Sequence, residues 1–473
     1  MERRSTQRFL GKPGFGDDVW VKDIEFSFED AIVPQHVISE TAERLRPEIK
    51  NMATAISEGY ESDLASLCLL NDRLTLDKVR QAIGKNLQLK PVYLVVVGIG
   101  GSNLGTIAVQ EAVQGKLYNQ LTASTKVLYA DTVDSDSINN IITLVKPVLE
   151  RGDNVVLNVI SKSGTTTETI VNAEVLIDLL RRHKKDYKKC ITVTSDKDSE
   201  LWNIAVKEGI KVIEIPKKVG GRYSVFSPVG LFPLGLLGLN IEQLLDGAIH
   251  VRDSCIEINI EKNPAAISAA IQYLHYESGK NISDLFLFAN DLESLGKWCR
   301  QLMAESLGKE FNKKEETVNV GITPDISIGS TDLHSMAQLY LGGPYDKFTT
   351  FLSVENSNSH INVPTLKEYS KLVYGIQGQS LESIMSAIME GTKAAFRKGK
   401  RPFMEIKLPC KSEYSIGQFL QFKMIETIYL GYLLDVNPFD QPNVESYKEE
   451  TRKILQENGT NFGKIHDSSP EKT

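Results

Sequence analysis

The chain has 473 residues, 41% of them apolar, and a net charge of −7 from 54 basic and 61 acidic side chains. That length allows two or more packed cores, the charge balance without long blocks of one sign argues against an extended nucleic-acid surface, and no run approaches the ~18 apolar residues of a membrane span. Cys68, Cys190, Cys255, Cys299 and Cys410 are odd in number and far apart, and Met1–Asp18 is polar and charged, so a reducing, cytoplasmic setting without disulfides or a secretory signal is expected.

Residues 1–30 are mixed, with an exposed or mobile Gly-Lys-Pro-Gly-Phe-Gly loop at Gly11–Gly16. From Pro34 to Leu70 the spacing is helical, with Ile38, Ala42, Leu45 and Ile49 on one face. Strand and helix then alternate. Tyr93–Val97, Lys126–Ala130, Asn154–Ile160, Cys190–Thr194 and Lys211–Ile215 are short, nearly all-apolar runs separated by crossover-length stretches, which predicts a parallel sheet covered on both faces. An apolar helical region, Leu231–Leu245, leads out of this unit.

The second half alternates less cleanly. Helices are expected over Ala265–Tyr276, Leu292–Leu307, Leu333–Leu339 and Leu381–Lys398, and strands over Leu285–Ala289, Val318–Ile322, Thr350–Val354 and Phe403–Ile406. No residue-level repeat marks it as a second copy of the first unit. A long helix, Ile416–Leu434, precedes a turn-rich stretch at Asn437–Asn443, a charged helix, and a polar tail from Asn458 expected to be disordered. The fold class is α/β, with units at residues 45–235 and 258–434 and peripheral segments at residues 1–44 and 435–473.

The stretch Val155–Thr169 concentrates chemistry: an apolar run to Ile160, then Ser161-Lys-Ser-Gly-Thr-Thr-Thr167, then a helical pattern with Ala173, Leu176, Ile177 and Leu180 on one stripe. Helix capping needs one or two hydroxyls. Five hydroxyls with Lys162 and Gly164, at a strand-to-helix turn, fit a phosphate cradle in which helix N–H groups and hydroxyls face the anion. Gly98-Ile-Gly-Gly-Ser-Asn-Leu-Gly105 fits neither a dinucleotide loop, since Asn103 stands where the third glycine belongs, nor a nucleophile elbow, since Leu104 follows Ser102 where glycine is needed. A second anion-binding turn, in which Gly101 and Ser102 reach the same phosphate, fits better.

In Gly220-Gly-Arg-Tyr-Ser224, Arg222 suits an oxyanion or a developing enediolate, or equally a structural bridge between carboxylates. Glu305 follows Leu302, Met303 and Ala304 on an apolar helix end, a partly buried position suited to a general base. His334, in Asp-Leu-His-Ser, is by itself more simply structural, and Phe439-Asp-Gln-Pro-Asn-Val-Glu-Ser-Tyr-Lys448 more simply a capped helix start. Neither histidine nor cysteine spacing suggests a metal site, and no cofactor is expected.

Gly-Ile-Gly-Gly-Ser, Ser-Lys-Ser-Gly-Thr-Thr-Thr-Glu-Thr, Gly-Gly-Arg-Tyr-Ser, Glu-Ser-X-Gly-Lys, Asp-Leu-His-Ser and Phe-Asp-Gln-X-X-Val-Glu-X-X-Lys lie in order from Gly98 to Lys448. Together they resemble the glucose-6-phosphate isomerase (phosphoglucose isomerase) family in its shorter bacterial and archaeal style. The resemblance implies two doubly wound sugar-isomerase domains, a hexose phosphate substrate, no metal, and a homodimer whose shared active site borrows His334 from the partner. It implies reversible isomerisation of D-glucose 6-phosphate and D-fructose 6-phosphate. Glu305 would move the proton and Arg222 hold the cis-enediolate, His334 and Lys448 would open the ring, and Gln441 would bind a sugar hydroxyl. Gly101, Ser102, Ser161, Ser163 and Thr166 would hold the phosphate with charge from Lys162.

Ser163-Gly164 and Pro442-Asn443 depart from the Thr-Phe and Trp-Gly of longer members, which bears on loop rigidity and on whether mannose 6-phosphate is also accepted. A phosphosugar sensor would need a basic helix-turn-helix that does not precede residue 90. The isomerising half of a glucosamine 6-phosphate amidotransferase would need an N-terminal cysteine, whereas the first is Cys68.

Overall fold

The computed structural model describes the backbone of residues 6–8, 22–121 and 123–466, and the side chains of residues 22–121 and 123–457. Two strands near the start of the chain, β1 (Thr6–Arg8) and β2 (Glu25–Ser27), belong to the sheet of the second half. The first half builds a five-stranded, all-parallel sheet from β3 (Pro91–Val97), β4 (Lys126–Ala130), β5 (Asn154–Ile160), β6 (Ile191–Asp196) and β7 (Lys211–Ile215), in the order β4-β3-β5-β6-β7. The chain moves outward from β3 to β4 and then crosses to the other side of β3 for β5. That reversal opens a crevice at the carboxyl ends of β3 and β5, where open α/β sheets bind ligands.

The second half repeats this path. Its strands are β8 (Ile282–Leu287), β11 (Thr323–Ile328), β12 (Lys347–Val354) and β13 (Phe403–Leu408), parallel and ordered β13-β12-β8-β11. Again the first strand sends the chain to one side and then to the other, so the repeat absent from residue identities is present in topology. The Val318–Ile322 expectation is corrected: Val318–Val320 belong to β10 (Thr317–Val320), which pairs with β9 (Lys309–Phe311) in a separate antiparallel ribbon, and the strand that joins the sheet is the following β11. The segment before residue 45 is also more than an appendage, because β2 pairs antiparallel with β13, and β1 with β2.

Other boundaries moved for identifiable reasons. The region after Gly230 divides into Pro228–Leu236 and Ile241–Cys255, with Asn240 capping the second helix through the Gln243 N–H at 3.0 Å. Leu333–Leu339 becomes a short turn, Thr331–Leu333, and a helix, Ala337–Gly342. The charged helix runs from Val444 to His466, through part of the expected tail, and Gly11–Gly16 lies outside the described residues.

Period-two alternation sorts each strand's side chains between layers. Leu94 and Val96 of β3 enter the main core, whereas Tyr93, Val95 and Val97 enter a core on the opposite face; Leu285 and Leu287 of β8 join the main core, and Phe286 and Phe288 an aromatic cluster with Phe351, Phe396 and Phe403. Main-core side chains come from both sheets and from Glu413–Leu433, a helix buried nearly all round. The first crossover helices of the two halves, Leu104–Gln114 and Glu293–Leu307, pack against each other, which aims the end of the second at the crevice of the first sheet.

His275 ties the N-terminal segment to this core. Its ring stacks on Phe348 at 4.5 Å, Nε2–H donates to the Ala31 carbonyl at 2.8 Å, and burial pushes its pKa down to about 4. The unfolded imidazole binds a proton near pH 6.5 and the folded one does not, so this contribution is present above pH 6.5 and is lost as pH falls to about 4. Urea unfolding should show wild type losing up to about 3 kcal/mol relative to His275→Gln between pH 7 and pH 4.5; parallel pH profiles of the two proteins would refute the assignment.

Candidate active site

Both turns that sequence patterning marks for anion binding stand at the crevice between β3 and β5. Val97 and Val159 are paired in register, so the chains leave the sheet side by side as Gly98 and Ile160. After β5, buried Ser161 Oγ accepts the Gly164 N–H at 3.1 Å and lies 3.0 Å from Thr166 Oγ1, while Ser163 Oγ accepts the Thr165 N–H at 3.3 Å. Gly164 has φ +74°, and a Cβ there would stand 2.9 Å from Leu201 N, so the tight hydroxyl turn needs glycine. Thr166 is the N-cap of helix Thr167–His183, yet its side chain makes no capping bond. The helix start therefore presents N–H groups with the hydroxyls around them.

Lys162 is half-buried. Burial holds its ammonium below the usual lysine range, opposed by the charges of Asp196 and Asp63. Burial likewise raises the Asp196 carboxyl, against the pull of Lys162.

After β3, Gly100–Ser102 forms one helical turn against Gly221–Tyr223. A Cβ on Gly101 would lie 2.2 Å from the Gly221 carbonyl carbon and 2.7 Å from Arg222 N, so the two turns approach backbone to backbone. Ser224 Oγ donates to the Gly101 carbonyl at 3.2 Å, and Ser102 sits half-buried at the turn's end. The first predicted anion turn is thereby joined to the arginine turn.

Arg222 is 1% exposed and all five of its N–H donors are engaged. Nε donates to Ser306 Oγ at 2.8 Å; Nη1 to Glu305 Oε2 at 3.1 Å and Gln441 Oε1 at 2.7 Å; Nη2 to the carbonyls of Pro438 at 2.6 Å and Asp440 at 3.1 Å. It bridges the end of helix Glu293–Leu307 to the Pro438–Gln441 segment and places a cation beside the Glu305 carboxylate. Glu305, partly exposed at the end of helix Glu293–Leu307, also accepts from Gln301 Nε2 at 3.0 Å. A carboxylate with one oxygen fixed by an arginine and the other by an amide keeps further lone pairs for a substrate proton.

Pattern reading missed Gln301, Ser306, Lys309 and Asp440. Buried Lys309 donates to the Glu305 carbonyl at 2.9 Å, to the Asp440 carboxylate at 2.8 Å and to the Asp440 carbonyl, and burial holds its pKa down. The signal was its place in Glu-Ser-X-Gly-Lys, four residues after Glu305, where a helix end brings the two together.

The chain thus brings Gly101, Arg222, Glu305 and Gln441 together and groups Ser161, Ser163 and Thr166 nearby in the crevice. Neither His334 nor Lys448 is hydrogen-bonded to these groups: His334 is exposed, and Lys448 Nζ pairs with Glu445 at 2.7 Å. Among the described residues no group of three or more histidine, cysteine or acidic side chains is placed to hold a metal, and no helix is long and apolar enough to cross a membrane.

A family model described as phosphoglucose isomerase matches residues 72–472. The glucose-6-phosphate isomerase of Carboxydothermus hydrogenoformans is 35% identical over 374 residues, covering 78% of this chain and 79% of the relative. The probable glucose-6-phosphate isomerase of Methanococcus maripaludis is 34% identical over 391 residues, covering 82% and 83%. Among solved structures, a hypothetical protein from Thermus thermophilus superposes with a TM-score of 0.79 at 29% identity, over 91% of this chain and 99% of that one. A glucose-6-phosphate isomerase from Chlamydia trachomatis shares the fold, with a TM-score of 0.76 at 19% identity over 95% and 90%.

The backbone contact at Gly101 makes it intolerant of a methyl group. Gly101→Ala should destabilise by about 1–3 kcal/mol in urea unfolding, because the facing atoms are main chain and cannot rotate away. Gly84→Ala, in the helix Arg73–Leu87 with nothing within 4 Å of an added Cβ, should instead gain up to about 1 kcal/mol. Equal effects at the two sites would rule out the close approach.

Proposed function

Because the chain belongs to the phosphoglucose isomerase family, we propose that Glu305 is the base of its reaction, the reversible conversion of D-glucose 6-phosphate to D-fructose 6-phosphate. The enzyme is an aldose-ketose isomerase, an intramolecular oxidoreductase of glycolysis and gluconeogenesis. The observation that carries the assignment is the contact of Glu305 with the desolvated Arg222 guanidinium at 3.1 Å. The Glu305 carboxylate takes the C2 proton of the open-chain aldose and O1 gains a proton as O2 loses one. Returning the carbon-bound proton to C1 gives the ketose. Between these steps the cis-enediolate carries negative charge, and Arg222 stands beside the base that generates it.

The phosphate is held remotely, by Ser102, Ser161, Ser163 and Thr166 with the backbone at Gly101 and charge from Lys162. Binding energy at that end fixes C1 and C2 against Glu305. Gln441, which already accepts from Arg222, binds a sugar hydroxyl.

Ring opening falls to His334 and Lys448: a proton leaves O1, another arrives at the ring oxygen, and the C1–O5 bond breaks. Neither residue is hydrogen-bonded to Glu305 within one chain, and the family resemblance supports a homodimer in which His334 of each copy completes the site of the other. Between residues 355 and 380, Ile361, Leu366, Tyr369, Leu372, Val373 and Tyr374 are exposed, and we assign this apolar surface to contact with the second copy. The units at residues 45–235 and 258–434 serve as the two sugar-isomerase domains, with β1 and β2 of the N-terminal segment extending the second sheet and residues 435–473 outside them. The free, buried cysteines suit the cytoplasm.

Proton NMR of glucose 6-phosphate in D2O tests the base. Wild type should produce fructose 6-phosphate with deuterium entering next to the carbonyl. Glu305→Gln should bind the sugar phosphate with unchanged affinity and lose about 10²-fold or more in kcat. Retention of turnover by the variant would remove Glu305 from the mechanism, and wild type that binds without exchange or turnover would favour a phosphosugar-binding role.

A further inference from the structure

His334 sits in a loop that leaves β11 and returns into helix Ala337–Gly342. The loop is organised by hydrogen bonds. Asp332 Oδ2 accepts the Ile328 N–H at 2.7 Å, its Oδ1 accepts Ser335 Oγ–H at 2.7 Å, and its carbonyl accepts the Met336 N–H at 2.8 Å; the His334 N–H donates to the Thr331 carbonyl at 3.0 Å. These bonds shape the loop internally. The Ile328 bond also ties the start of the loop to β11, and the Gly329 N–H donates to the Leu287 carbonyl of β8 at 2.8 Å, which leaves the far end of the loop to be anchored.

That anchoring comes from Tyr340, whose side chain is buried at 3% exposure below the loop. Its hydroxyl lies 2.7 Å from Ser327 Oγ, 3.0 Å from Asp325 Oδ2 and 3.5 Å from Asp284 Oδ1, and Ser327 Oγ donates to Asp284 at 2.9 Å. One phenol on the helix that follows the loop is thus bonded to the strand that precedes it and to the neighbouring strand β8. Asp284 is fully buried, and burial pushes its carboxyl up to about 7; its Oδ1 accepts from the cluster, while Oδ2 has no hydrogen-bond partner among the described residues. A phenol and carboxylates buried in place of apolar side chains are expensive unless fully bonded. Their geometric effect is to fix both ends of the His334 loop at one point.

Resting on the reading of His334 as a ring-opening group, we infer that Tyr340 is a positioning residue that sets His334 through its hydroxyl. Tyr340→Phe keeps the ring and its edge contact with Phe286, at 6.1 Å and 69°, and removes only the hydroxyl. In the full-length protein its kcat with glucose 6-phosphate should fall about tenfold at unchanged KM, the scale of a misplaced general acid or base. Binding of D-glucitol 6-phosphate, an open-chain hexitol phosphate with no ring to open, should not change. Ser327→Ala removes one of the two bonds from the phenol to β11 and should give a smaller loss in the same direction if Tyr340→Phe folds poorly.

In a His334→Ala background the hydroxyl should no longer matter, so adding Tyr340→Phe should cause no further loss. A wild-type kcat in both single variants overturns the inference. So does an equal fold-loss with and without His334, or weakened glucitol phosphate binding, since either marks a merely structural role. Should His334→Ala itself keep wild-type kcat, the ring-opening reading fails and the inference with it; a loss there without a loss in Tyr340→Phe and Ser327→Ala overturns the inference alone.

Discussion

A guanidinium taken out of water must find an acceptor for every N–H or leave a buried charge unpaired, a loss of about 3–5 kcal/mol when one partner is removed. Arg222 meets that demand with five acceptors on two separate stretches of chain: the end of helix Glu293–Leu307 and the segment from Pro438 to Gln441. Each acceptor is thereby placed by the arginine as much as it satisfies it. Lys309 repeats the device one helical turn beyond Glu305, bonding the same helix end to Asp440. The candidate base, the enediolate cation and the sugar-hydroxyl ligand share one rigid unit because a buried charge in the first half has no partners of its own there.

The duplicated topology explains how this unit reaches the phosphate cradle. In each half the first strand feeds a crossover helix before the chain reverses across the sheet, and these two helices pack on each other. The first half uses its crevice for hydroxyls and helix N–H groups. The second half contributes the far end of its crossover helix, where Glu305 lies. The proposed phosphate grip and proton transfer therefore come from different copies of one plan, the separation of duties that remote binding of a small sugar phosphate requires.

Much of the fold was legible because parallel strands buried on both faces have a compositional signature, and β3 to β7 carry it with little interruption. The exception is β11. Thr323–Ile328 contains Pro324, Asp325 and Ser327, so the neighbouring Val318–Ile322 was the more strand-like run. Pro324 is tolerated because β11 is an edge strand, bonded to β8 alone, and Asp325 and Ser327 are polar because Tyr340 and Asp284 answer them. The hydroxyl turn after β5 and the arginine after paired glycines were visible in composition. Lys309, Gln301 and Ser306 were not, since single polar residues on a helix carry no periodicity, and their importance lies in contacts with residues more than eighty positions away in the case of Ser306 and Arg222. The grouping of His334 and Lys448 with the other candidates is a matter of motif resemblance, and neither is hydrogen-bonded to them within one chain.

The antiparallel pairing of β2 with β13 has a consequence for synthesis. Phe26 lies opposite Ile406, so the strand that finishes one edge of the second sheet leaves the ribosome near the start of translation while its only partner within that sheet's parallel portion emerges near the end. Until β13 is made Glu25–Ser27 can pair only with β1, and the sheet beside it cannot be completed by local pairing. The first half, whose strands meet within a single continuous stretch, can close while the chain is still growing. The second sheet remains open along β13 until the N-terminal segment returns to it, so this part of the sheet closes only after Phe403–Leu408 has been made.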